Sequence, residues 1–250
     1  MALRKVGGSD FACWEISCLT DYIQYLEKYC DEEYVVFRGQ REDWDLLPKI
    51  ARINHKIDIL DNEKVMFDSF TRTAIRFLQN VPDNLWDWLA IAQHHGLPTR
   101  LLDWTKNPLA ALWFAVRKPA LNDDKYGVVW VFRPITRNII SDLSAGANPF
   151  QGERTSVFEP KHVIERIRVQ NGAFTVHKYV NSQKRFVPLQ KNAQQKHRLQ
   201  KILIPTKFFW FLRLQLDRCG IQDGSLFPDL DGLSRHIEWF HTLLKDEEAG

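Results

Sequence analysis

Residues 109–116, Leu-Ala-Ala-Leu-Trp-Phe-Ala-Val, contain no polar side chain. A helix over 108–117 is therefore apolar almost all round, and such a helix must be buried. Pro108 suits its first turn, and Thr105 or Asp103 is the expected N-cap. The chain has 250 residues, 44% of them hydrophobic, which is ample for a core that can bury this helix. Its 26% charged content is ordinary for a globular protein and argues against a disordered chain, a collagen or a coiled coil. No apolar run approaches the ~20 residues of a membrane span, so no membrane partner is expected. The opening MALRKVGGSDFACWEISC lacks a long apolar stretch and a small-residue cleavage site. It is read as no signal peptide, and a cytoplasmic protein is expected.

Local patterns predict an α+β chain without repeats or a convincing linker. Helical spacing is found over 16–29, 63–78 and 83–95, the last with Gly96 placed to cap it. Residues 34–37 read as a strand that ends in a turn at Arg38-Gly39-Gln40. Residues 97–105 read as a short strand or turn leading into the apolar helix, and 127–132 as a core strand. The stretch 133–160 has no period and is expected to be a long surface excursion. Strands are expected over 172–176 and 199–204, and helices over 208–216 and 231–244. The tail from Lys245 is expected to fray.

Charge is nearly balanced, with 34 Lys and Arg against 31 Asp and Glu, a net +3. A protein that coats DNA would usually be more basic. The four cysteines form no CxxC pair, no HExxH-like spacing is present, and no metal site is expected. There is no GxGxxG, P-loop or GxSxG, which weakens Rossmann, NTPase and serine-hydrolase readings.

Three places set polar groups beside strands or buried helices. The first is Phe37-Arg38-Gly39-Gln40. A guanidinium at a strand end suits a phosphate or pyrophosphate, and Gly39 lets a ligand approach the backbone. A structural carboxylate partner for Arg38 is the plainer alternative. The second is His94-His95-Gly96-Leu97-Pro98-Thr99-Arg100-Leu101-Leu102-Asp103-Trp104-Thr105, crowded with polar types at the entry to a buried helix. An Asp103–Arg100 pair with a capping role is the alternative there. The third is Gln170-Asn171-Gly172, where an amide either binds a ribose or base edge or satisfies its own turn. The basic segment 184–201 either touches nucleic-acid backbone or is a solvated face. As a set, His94, His95, Arg100 and Asp103 also suit acid, base and phosphate-clamp roles in a metal-independent ribonuclease or nucleotide hydrolase.

These residues resemble the FRG domain family. Phe37-Arg38-Gly39 matches its namesake. The more specific mark is His95 to Thr105 followed by Asn107-Pro108-Leu109. Gln170-Asn171-Gly172-Ala173-Phe174 is similar to a later element, and residues 225–233 to a C-terminal one. The resemblance spans about 34–233, with a helical segment over 1–33 before it and a helix and tail over 234–250 after it. It implies a single domain with a small mixed sheet flanked by helices, similar to ADP-ribosyltransferases. By that similarity Arg38 would hold the NAD pyrophosphate, Thr99, Arg100 and Thr105 would shape the nicotinamide–ribose side, and Gly39 and Gln40 would complete the NAD-binding set. Arg38, His95, Asp103 and Gln170 would form the catalytic set. That superfamily carries a Glu on its late strand, where this chain has Gln170. Either Gln170 orients the ribose or another carboxylate, Asp103 or Glu165, supplies the charge. The implied function is an NAD-dependent toxin or phage-defence effector. RNA or DNA is the expected acceptor, and an antitoxin protein the expected partner. A nuclease, or a non-catalytic module binding a nucleotide or partner, stands beside it.

Overall fold

The structure is a computed structural model that describes residues 4–6, 11–120, 125–143, 148–161 and 165–247. Strands β1 (Arg4–Val6) and β2 (Ala12–Glu15) precede helix α1 (Leu19–Tyr29) and strand β3 (Val36–Gln40). Helices α2 (Ile59–Ala74) and α3 (Leu85–His94) lead to strand β4 (Leu101–Thr105), helix α4 (Pro108–Val116) and strand β5 (Tyr126–Phe132). Strands β6 (Ile139–Ile140) and β7 (Ser156–Phe158), helix α5 (Glu165–Val169) and strand β8 (Gly172–Val176) follow. A two-stranded ribbon, β9 (Tyr179–Val180) with β10 (Arg185–Phe186), precedes β11 (Leu199–Pro205). Helices α6 (Phe209–Arg218), α7 (Asp223–Leu226) and α8 (Leu230–His241) complete the described order.

Among the described residues nine strands form one mixed sheet in the order β1-β2-β11-β5-β3-β4-β8-β7-β6. The β2–β11 and β6–β7 pairs are parallel and the others antiparallel. The architecture is α+β with a mixed sheet, as expected, and the sheet extends further than the short list of predicted strands suggests. Alternation along the strands sorts side chains onto two faces. On one face Phe37, Val129, Val131 and Ile202 pack with α1, α4 and α6. Farther along that face Leu101, Phe174 and Val176 pack with Phe67 of α2 and Trp86, Trp88 and Leu89 of α3. On the other face Val36, Leu102, Trp104, Trp130 and Phe132 meet Leu46 and Leu189 from loops.

The apolar helix is buried as expected: Ala110, Ala111, Leu112, Ala115 and Val116 have no exposed surface. Its N-cap is Asn107, whose side chain accepts from the backbone N–H groups of Leu109 and Ala110, and not Thr105 or Asp103. Both of those lie within β4, two and four residues too early to reach the orphan donors. Residues 38–40 are strand and not turn, because Arg38, Gly39 and Gln40 continue the β3–β5 ladder opposite Trp130, Val129 and Val128. The stretch 133–160 is not a surface excursion. It holds β6 and β7, and Ser156, Val157 and Phe158 are buried at the sheet margin. These strands of two and three residues are too short to show a period. Residues 144–147 lie outside the described residues. The tail does not fray through residue 247. Fully buried Arg213 bonds Asp246 and Glu247, each at 2.7 Å, and the Val116 carbonyl at 2.7 Å.

Gly39 explains how closely α4 lies on the sheet. A Cβ there would stand 1.8 Å from the Ala111 carbonyl oxygen and 2.8 Å from the Ala115 nitrogen, both backbone atoms. Only glycine permits that approach. We expect Gly39→Ala to lower unfolding stability by about 1–3 kcal/mol or more, since overpacking against backbone cannot relax by a rotamer change. Urea unfolding checks this, and a variant as stable as the parent would contradict the packing described.

Candidate functional site

Strands β3 and β4 share a single register pair, Phe37 with Thr105, although β3 pairs with β5 over five residues and β4 with β8 over five. Beyond that pair the two strands part. Their facing backbone groups lose ladder partners, and such groups need substitutes. Arg38 supplies one: its Nη1 donates to the Asp103 carbonyl oxygen at 2.7 Å. The same nitrogen lies 3.7 Å from Asp103 Oδ2. Arg38 thus bridges the opening, and its side chain is 20% exposed against 55% for the Asp103 side chain. Burial lowers the Arg38 proton affinity, and the Asp103 charge opposes that. Arg38 Nε is buried and has no hydrogen-bond partner among the described residues. It is a free donor beside a carboxylate.

A cavity of about 320 Å³ lies over this opening. Its walls include Phe37, Arg38 and Gly39 from β3, Asp103 and Thr105 from β4, Gln93 and His94 from α3, Phe114 from α4, and Arg166, Gln170 and Phe174 from the segment through α5 and β8. A second cavity of about 320 Å³ adjoins it and shares Arg38, Gly39 and Phe114. The site is therefore a cleft of two lobes with Arg38 at the waist.

The Asp103 carboxylate is held by a relay. The Thr99 hydroxyl donates to Gln93 Oε1 at 2.7 Å, which turns the Gln93 amide nitrogen toward Asp103 Oδ2 at 3.1 Å. Thr99 is 1% exposed, so it acts through Gln93 and does not line the cavity. Sequence reasoning missed Gln93. Its position one residue before the histidine pair, on the last turn of α3, is the available signal.

Of the two histidines, His94 and not His95 faces the cavity. His95 is exposed and ends α3, where its backbone N–H bonds the Ile91 carbonyl. Burial, with help from the positive charges of Arg166 and His95, pushes the His94 imidazole down to about 4. It is neutral near pH 7 and offers a lone pair.

Arg100 is turned away from the cleft. Its Nε donates to Glu63 Oε1 at 2.9 Å and its Nη2 to Glu63 Oε2, and Nη1 bonds the Phe150 carbonyl at 3.1 Å. Both side chains are buried. The fork ties the start of β4 to α2, and the partner is Glu63 in place of the anticipated Asp103.

The remaining sequence candidates hold the scaffold. Gln40 Oε1 accepts from the Trp130 indole at 3.1 Å, and Gln40 lines the second lobe. Thr105 donates to the Gln170 carbonyl and accepts from the Asn107 N–H at 3.0 Å. The Gln170 amide nitrogen donates to the Leu226 carbonyl at 2.9 Å, tying the turn before β8 to α7. Asn171 beside it has φ 48°, a left-handed conformation that Asn tolerates. Gly39 touches the cavity, but its missing side chain makes room for α4. Glu165 is exposed and pairs with Arg168 at 3.6 Å, outside the cavity lining. Arg166 does reach the cavity, with its guanidinium 4.2 Å from the centre of the Phe227 ring.

Comparison with known families bears on these residues. The family model of the FRG domain matches residues 33–124. That stretch of the chain is similar to the FRG domain. The matched stretch contains Arg38, Gln93, His94 and Asp103, while Arg166 and Gln170 lie beyond it. No curated protein and no solved structure matches the chain. No helix among the described residues is long and apolar enough to cross a membrane.

We expect Arg100→Ala to destabilise the domain by about 3–5 kcal/mol, because Glu63 is left charged and buried. Replacing the pair together, as Arg100→Met with Glu63→Leu, is expected to restore most of the loss. Denaturant unfolding checks both, and a fully stable Arg100→Ala would remove the buried pair from the account.

Proposed function

We propose that the FRG domain cleft binds NAD and transfers ADP-ribose to an acceptor, as a toxin or defence effector acting in the cytoplasm. The observation that carries the reading is the waist of the cleft. There a guanidinium with an unpaired donor stands 3.7 Å from a half-exposed carboxylate, between two lobes. Two lobes meeting at these groups give a donor and an acceptor one place each. Arg38 and Arg166 line the first lobe and suit the diphosphate of the donor.

The chemistry assigns a part to each group. The bond between the ribose C1′ and the nicotinamide nitrogen breaks, and nicotinamide leaves with the bonding pair. Positive charge develops on the ribose, and the fixed Asp103 carboxylate stabilises it. Gln93 holds that carboxylate in place. An acceptor oxygen or nitrogen then attacks C1′ and gives up a proton. Neutral His94 accepts it, and general-base help of this kind contributes about 10²–10⁴-fold. Gln170, with its amide engaged by Leu226, shapes the wall and carries no proton.

Incubation of the purified protein with labelled NAD and separate pools of RNA, DNA and protein tests the reading. We expect nicotinamide release and label on one pool. Arg38→Ala and Asp103→Asn are each expected to lower the rate at least about 10²-fold, the size typical of a lost charge-stabilising group, with the fold retained. His94→Gln is expected to slow transfer without abolishing NAD binding, and the parent's rate to fall as pH drops toward about 4 and His94 protonates. Expression of the parent should arrest growth, and Arg38→Ala should relieve it. Cleavage of RNA with no NAD present and no nicotinamide released would overturn the proposal in favour of a nuclease.

A further inference from the structure

We propose that the second lobe and the surface beyond it bind a single strand of nucleic acid, which serves as the acceptor. For its chemistry the inference rests on the reading of the cleft above. For binding it stands on separate observations.

The second lobe is lined by Arg41, Arg52, Arg117 and Lys118 as well as the shared Arg38, against one carboxylate, Asp45. This concentration belongs to a chain whose net charge is only +3. Acids of the adjoining loop do not neutralise it. Glu42 is held by Lys125 at 3.2 Å, Asp43 by Lys201, and Asp45 by Lys191 at 3.2 Å. Arg117 lies 3.5 Å from Asp223, whereas Arg41, Arg52 and Lys118 have no ion-pair partner among the described residues. Uncompensated cations around one concave surface are the footprint of a polyanion.

The positive surface does not stop at the lobe. Asp45 also accepts from the Gln190 amide, and Gln190 and Lys191 line a further open cavity of about 430 Å³ with Lys196, His197 and Phe11. A single phosphate would need only the lobe, whereas an extended track suits a phosphodiester strand. Trp44 at the edge of the lobe is 45% exposed and presents a large aromatic ring beside the cations. Bases of a single strand stack on such rings, and duplex bases cannot reach them. The track also gives the basic segment 184–201 a place beside the cleft. It leads to the waist, where Asp103 and the donor ribose would stand.

The test measures binding of labelled single strands of about 12 nucleotides, a length within the usual site size, by fluorescence anisotropy without NAD. RNA, DNA and duplex form separate arms. We expect single strands to bind and the affinity to fall about tenfold or more between about 50 and 200 mM salt, as counterions are released. Arg52→Glu with Lys118→Glu should weaken binding at least about tenfold and flatten the salt slope. Trp44→Ala should weaken binding and leave the slope unchanged. The RNA and DNA arms distinguish the two sources of the strand. No binding of any single strand, or binding indifferent to the charge reversals, would overturn the inference. Preference for duplex, or label transferred to protein alone, would also overturn it. Nicotinamide release by the unmutated protein, measured separately, reports on the cleft reading, so the two can fail independently.

Discussion

Beyond Phe37 and Thr105 the sheet comes apart between β3 and β4, and the site depends on that separation. A sheet interrupted in its middle exposes backbone that must find other partners. Arg38 closes the gap from one side by bonding the Asp103 carbonyl, which leaves Asp103 free to present its carboxylate to the cavity. The two lobes meet where the strands part. The waist is thus a consequence of register and not of loop placement.

Several buried interactions hold the halves that flank the opening. Gly39 brings α4 down onto β3, and Asn107 fixes where that helix starts. The Arg100–Glu63 pair anchors the other half by joining the entry of β4 to α2. Thr99 and Gln93 then orient Asp103 from below. Polar residues of the long motif are therefore divided. Arg100 and Thr99 act inside the scaffold, and Asp103 and His94 face the cleft.

That division accounts for what the sequence reveals and what it hides. The apolar run 109–116 has one physical solution, burial, and the helix is found there. The long motif over 94–105 marks the right part of the chain. Its polar residues, however, look alike until side-chain direction is known. Adjacent His94 and His95 differ only in which side of α3 they occupy, and one residue of rotation separates a cavity wall from solvent. Arg100 and Arg38 are both guanidiniums near a strand end, but Glu63 lies 37 positions from Arg100 and no local pattern announces it. The strands β6 and β7 escape notice because two or three residues cannot show alternation. The parting of β3 from β4 is a matter of register, which sequence periodicity does not encode.

The central claim is that the opening between β3 and β4 is where NAD binds. Its most direct test is a titration of isotope-labelled protein with NAD, followed by amide and indole chemical shifts. We predict that the largest shifts fall on the amides of Gly39, Gln93, Asp103, Thr105 and Gly172, and that Arg38→Ala removes them. Shifts confined to other surfaces, or the same shifts in Arg38→Ala, would contradict the claim.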